Sequence, residues 1–234
     1  MANDLKALST GMSRAVKRAA GYTVGVDGRG GYPCSGVLYG EKLVLSADHG
    51  VEREQDVLIL MPDGSKVGAK VVGRDPLSDI VLLELAGDAS APAAPFSRES
   101  AAIGQLVLAV GRPTEEGVQA SLGILGIENG SYRTRSGVTI EGVMRSDARR
   151  FPGFAGGPLV DTEGALLGLN TVSSSSGTSI TIPAAMVRKI AEKLRTEGSV
   201  KPGYLGIRSQ QVDLPQPSTL GREQTTGLLI VGID

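Results

Sequence analysis

Leu5, Leu8, Met12 and Val16 recur at intervals of three and four residues, the period of one helix face. The segment before Gly21 is therefore predicted as a short amphipathic helix, with Gly11 as its weak point. After Gly21 the period shortens. Residues 22–26, 35–39, 42–45, 57–61, 65–73 and 80–85 are short runs rich in Val, Ile and Leu. Turn signals separate them: Asp27-Gly28, Gly30-Gly31, Pro62-Asp63-Gly64 and Asp75-Pro76. Strands at a spacing of roughly 8–12 residues favour a barrel or sandwich over β-α-β units.

Residues 87–99, rich in Ala, Pro and Ser, read as a linker. The strand texture then resumes at 106–110, 119–127, 138–145, 158–160, 166–170 and 179–182. Two six-strand units joined by a polar linker predict an all-β double barrel, with barrels over about 21–86 and 103–182 and a site in the cleft between them. Pro183 opens a second helix with Met186, Val187, Ile190 and Leu194 on one face and Gly198 past its end. The barrel unit is thus expected over 1–198, with a linker at 199–203 containing Lys201-Pro202-Gly203. Residues 204–234 carry two strand-like runs, 204–207 and 227–233, and are too few to build a core alone.

Composition narrows the class further. The 33 glycines and 3% aromatics suit an all-β chain with many tight turns. A formal charge of −1 with no basic stripe argues against a nucleic-acid partner. No apolar run approaches the roughly 20 residues that span a bilayer. The N-terminal segment lacks the apolar block of a signal peptide, so the chain as it stands reads as cytoplasmic, or as an envelope or periplasmic protein whose leader has been removed. The single Cys34 cannot form an internal disulfide and is expected to be a small buried hydrophobe. One His and one Cys cannot build a zinc cluster, and no metal or organic cofactor is expected.

Three segments are candidates for chemistry. The sole histidine, His49, ends an apolar strand; a lone histidine is usually structural, yet it is also the natural general base near neutral pH. Asp79 immediately precedes an apolar strand, where an acid is commonly a turn residue; its other role would be to accept the second ring N–H of a histidine. In the stretch 152–160, Pro-Gly-Phe-Ala-Gly-Gly-Pro-Leu-Val, the glycines allow a tight turn whose amides converge as an anion-binding nest, although a plain glycine hairpin has the same composition.

Together these segments resemble the trypsin-like serine proteases, in particular the HtrA/Deg branch. Ser46-Ala47-Asp48-His49 is similar to that family's histidine motif, Asp75 to Leu83 to its aspartate segment, and Gly153 to Leu159 to its nucleophile motif. Ser146-Asp147-Ala148 resembles the Thr-Asp-Ala that precedes that motif, and the order His, Asp, nucleophile is the trypsin order. The resemblance implies an endopeptidase that cleaves unfolded or extended polypeptides by acyl transfer, and commonly a homotrimer. It makes His49 the general base, Asp79 its orienter and position 155 the nucleophile site, with oxyanion donors at the amides of Gly153 and Ala155. It assigns Thr171, Val172 and Ser173 to an edge that pairs with substrate, and Arg149, Arg150 and Phe151 to the pocket for the residue before the cut. Those arginines either face solvent or favour acidic substrates. Tyr204, Leu205, Gly206 and Ile207 resemble the carboxylate-binding loop that opens a PDZ domain, which captures peptide C-termini when complete.

The chain departs from the pattern at three places. Ala155 stands where the family has its serine, and a methyl group cannot attack a carbonyl. Either a serine was replaced to make an inactive protease, or the chain is a natural pseudoprotease that binds peptides. Asp48 replaces a small residue and either raises the His49 pKa, faces solvent or caps a turn. Cys34 lacks the mate that secreted animal relatives place after the histidine, where this chain has Gly50.

Overall fold

The computed structural model describes residues 2–31, 33–97, 101–133, 139–173, 179–199, 207–214 and 225–233. The chain divides into two units, Met1–Val200 and Lys201–Asp234.

The first unit opens with helix α1 (Ala2–Ala20) and carries two closed six-stranded barrels. The first barrel is built from β1 (Thr23–Asp27), β2 (Cys34–Leu38), β3 (Leu43–Ala47), β4 (Val57–Leu60), β5 (Lys66–Asp75) and β6 (Ile80–Leu85), in the order β1-β2-β3-β6-β5-β4. The second uses β7 (Leu106–Thr114), β8 (Gly117–Arg133), β9 (Thr139–Ser146), β10 (Pro158–Val160), β11 (Leu166–Ser173) and β12 (Ser179–Pro183), ordered β10-β11-β12-β9-β8-β7. This is the expected all-β double barrel. All the ladders are antiparallel, and closure removes the edges that an open sheet would expose.

Strands β2 and β10 are buried along their whole length rather than at alternate positions, because both of their faces are covered. Helix α2 (Ala184–Glu197) packs on other strands, β5, β6, β11 and β12. It buries Val187, Ile190, Ala191 and Leu194; each large aliphatic side chain contributes about 1.5–3 kcal/mol relative to exposure. Pro183 sits one place earlier than expected, at the extended N-cap. Gly198 ends the helix at φ 71°, where its N–H reaches the Leu194 carbonyl at 3.0 Å.

Two expectations need correction. In α1, Leu5 and Leu8 are 71% and 48% exposed, and it is the C-terminal half, through Ala15 and Ala19, that packs on the core. Gly11 does not interrupt the helix. Strand β8 continues six residues past the expected Ile127, through Glu128-Asn129-Gly130-Ser131-Tyr132-Arg133. Those residues lack an apolar run, and their strand character comes from the ladder to β9, which ends at Arg133 opposite Thr139.

In the second unit, β13 (Ile207–Asp213) and β14 (Thr226–Ile233) pair antiparallel. Its first strand starts at Ile207, where the expected run 204–207 ended, and continues through polar residues. Tyr204, Leu205 and Gly206 lie outside the described residues.

Candidate active site

The pairing of β3 with β6 places Ala47 opposite Ile80, so the residues that follow one strand meet those that precede the other. Asp48, His49 and Gly50 form a single 3-10 turn directly after β3. Asp79 has φ 59°, a conformation Asp tolerates better than most side chains. Three contacts tie the two segments. The Asp48 N–H donates to the Asp79 carbonyl at 3.2 Å, and the His49 N–H to Asp79 Oδ1 at 2.9 Å. The His49 ring Nδ1 lies 2.8 Å from both carboxylate oxygens. A carboxylate only accepts, so Nδ1 carries the proton and Nε2 is left as the basic nitrogen. The Thr171 hydroxyl completes the group by donating to Asp79 Oδ2. The imidazole is 42% exposed and the carboxylate 16%, so the base is open to a substrate while its orienter is shielded.

The glycine turn is held against the same barrel. Gly153 and Gly156 have φ of 87° and 79°. At Gly156 a Cβ would lie 2.6 Å from the Ala47 nitrogen, two residues before His49, so only glycine brings the turn this close. The Ser35 N–H donates to the Ala155 carbonyl at 2.9 Å, and Gly156 N–H to the Asn170 carbonyl at 2.7 Å. Phe154 is fully buried in the second barrel and meets Phe151 edge-on at 5.4 Å. Its N–H is taken by the Phe151 carbonyl, whereas the amides of Gly153 and Ala155 donate to no acceptor among the described residues.

Around this centre the sequence-derived candidates separate. Arg149 is exposed and its guanidinium lies 5.4 Å from the Phe151 ring centroid. Arg150 is half-buried; burial lowers its pKa to about 10, and the negative charge of Asp79 partly opposes that shift. Residues Thr171, Val172 and Ser173 continue β11 beyond Leu169, the last residue of that strand paired with β10. Thr171 is therefore both an edge residue and a donor to Asp79. Ile207 begins β13 in the second unit.

Three side chains that sequence reading passed over support the site. Ser35 donates to the Gly153 carbonyl at 2.6 Å and accepts the Arg112 N–H at 2.8 Å. Arg112, almost fully buried, donates from Nε to the Thr23 carbonyl at 2.8 Å and from Nη2 to the Ala20 carbonyl at 3.0 Å. Arg74 pairs with Asp48 at 2.7 Å, so Asp48 faces neither solvent nor a turn amide. Burial raises the Asp48 pKa and Arg74 partly offsets that rise. Cys34 is buried as expected, and a Cβ on Gly50 would overlap its sulfur.

A histidine held by a carboxylate, beside a glycine turn with unclaimed amides, is the arrangement of acyl-transfer hydrolases. Residues 34–169 match the trypsin-like peptidase domain family. The chain belongs to that family. The chain is 32% identical over 208 residues to the serine protease Do-like HtrA of Bacillus subtilis (strain 168), covering 83% of this chain and 46% of that protein. It is 27% identical to a probable periplasmic serine endoprotease DegP-like of Pseudomonas fulva (strain 12-X), covering 81% of this chain and 40% of the relative. Among solved structures, the serine endoprotease from Yersinia pestis matches with a TM-score of 0.72 and 32% identity, over 85% of this chain and 71% of that one. The chain spans less than half the length of these two curated relatives. Among the described residues no helix is long and apolar enough to cross a membrane, and the cytoplasmic expectation finds no support in relatives named periplasmic.

Proposed function

We propose that this is the peptidase unit of an HtrA/Deg-type serine endopeptidase acting on unfolded or extended polypeptides, held inactive by alanine at position 155. The observation that carries this reading is the 2.8 Å contact between His49 Nδ1 and the Asp79 carboxylate. With a serine at position 155, its hydroxyl would attack the scissile carbonyl carbon as His49 Nε2 takes the proton. The amides of Gly153 and Ala155 would hold the resulting oxyanion. His49 would then protonate the leaving amine, and water would release the acyl group by the same route. The methyl of Ala155 leaves substrate binding intact and removes the bond-forming atom, a loss on the order of 10⁶ in turnover.

Substrate binds in this reading as an added strand along Thr171, Val172 and Ser173. Arg150, half-buried on the loop before the glycine turn, favours an acidic side chain before the cut, while Arg149 serves only the rim. Retention of His49, Asp79 and the glycine turn together supports replacement of a serine rather than decay of an abandoned site. The second unit is read as the start of a PDZ domain, with its carboxylate loop over Tyr204, Leu205, Gly206 and Ile207. Assembly as a trimer through α1 is supported by the exposed Leu5 and Leu8, and an envelope location by the relatives' names. A role in protein quality control extends the proposed action on unfolded polypeptides.

The test is Ala155→Ser followed by incubation with casein. Cleavage that His49→Ala abolishes supports the reading. An inert serine variant, with peptide binding retained in the alanine form, would make the chain a natural pseudoprotease with a peptide-binding or chaperone role.

A further inference from the structure

We propose that Arg74 is a positioning residue for His49, locking the segment that carries the histidine onto strand β5. This extends the proposed function, but its first test needs no proteolysis. The Arg74 guanidinium meets residues 48 to 54 at four points. Nη1 donates to Asp48 Oδ1 at 2.7 Å and to the Val51 carbonyl at 2.6 Å. Nη2 donates to the Arg53 carbonyl at 3.2 Å, and Nε to Glu54 Oε1 at 2.8 Å. The planar fork of a guanidinium can serve acceptors in several directions at once, which a single ammonium cannot.

The anchor itself is firm. Arg74 lies opposite Val81 in the β5–β6 ladder, and its N–H donates to the Gly198 carbonyl at 3.1 Å. The pair is shielded, with the Arg74 and Asp48 side chains 22% and 15% exposed. His49 is therefore gripped from two sides: Asp79 holds its ring and amide, and Arg74 holds the chain on either side of it. Other charges near this segment are Arg29, which reaches the His49 carbonyl at 3.4 Å and Glu52 at 2.7 Å, and Arg150, which lies within electrostatic range of Asp79. Arg29 and Glu52 are largely exposed, so solvent weakens their hold.

The histidine is the only one in the chain, so its Nδ1 proton gives an unambiguous NMR resonance in the protein as it stands. Arg74→Gln and Arg74→Lys are expected to broaden or lose that resonance, with the second variant keeping the charge and guarding against misfolding. Asp48→Asn is expected to retain it, because Arg74 keeps its carbonyl and Glu54 contacts. In an Ala155→Ser background, both Arg74 variants should lower kcat by about tenfold to a hundredfold, the cost of a small misplacement, with KM little changed. A resonance unchanged in folded Arg74→Lys overturns the proposal, as does an equal loss in Asp48→Asn. If the resonance behaves as expected and the Ala155→Ser protein cleaves nothing, the positioning role stands and only the peptidase reading fails.

Discussion

The Ser35 hydroxyl donates to the Gly153 carbonyl at 2.6 Å and so ties a strand of the first barrel to the glycine turn of the second. Ser35 is fully buried and every polar group it has is engaged: its N–H reaches the Ala155 carbonyl in the turn, its Oγ accepts the Arg112 amide, and its carbonyl takes the Ser46 hydroxyl at 2.7 Å. Replacing Ser35 by Ala strands the half-buried Gly153 carbonyl and the buried Arg112 amide. We expect a loss of about 1–3 kcal/mol in denaturant unfolding, and a lower kcat in the Ala155→Ser background. Unchanged stability would show that the turn holds its shape without this residue.

Asp79→Asn replaces an acceptor-only carboxylate with an amide that also donates. The preferred His49 tautomer is then lost while the backbone contacts survive. Turnover in the Ala155→Ser background should fall on the order of 10⁴, with folding barely affected. A fall of less than about tenfold would rule out Asp79 as the orienter of the base.

Gly156→Ala adds a Cβ where φ is 79° and the Ala47 nitrogen would be 2.6 Å away. Strain and overlap together should cost about 2–5 kcal/mol, read as a lower melting temperature. Gly40→Ala shares the positive φ, but its Cβ meets no atom within 4 Å, so it should cost only the strain. Equal losses in the two variants would contradict close packing at the turn.

Burial raises the Cys34 thiol pKa to about 11, with the Asp79 charge as a smaller cause in the same direction. The folded chain therefore holds this proton more tightly than the unfolded chain. Its contribution is complete below the thiol's ordinary value near 9 and is lost as pH rises through about 11. The stability difference between the parent chain and Cys34→Ala should shrink over that interval and stay constant between pH 7 and 8. A difference that is flat throughout would mean the thiol is not shielded.

Arg150→Leu tests the specificity assignment. In the Ala155→Ser background, kcat/KM for peptides with Glu before the cut should drop about tenfold relative to those with Leu, whereas Arg149→Leu should change the ratio little. Equal effects of the two substitutions would return both arginines to the solvent-facing role.

Much of this molecule is legible in its sequence because local patterns report local physics. The strand over residues 80–85 shows through its apolar run at 80–83 and the helix end at Gly198 as a glycine past the last periodic residue. His49, Asp79 and the glycine turn stand out because their chemistry needs particular residue types in short motifs. The far half of β8 does not, because Asn129, Gly130 and their neighbours have no strand preference and are held by β9. Arg74, Ser35 and the hydroxyl of Thr171 act on residues 26, 118 and 92 positions away, and nothing in their own neighbourhoods marks them for that work. The sequence alone determined the barrel pattern, the family resemblance and the missing nucleophile. Only the tertiary structure decided what holds the histidine and the glycine turn in place, since those contacts arise when strands distant in the chain are closed into barrels.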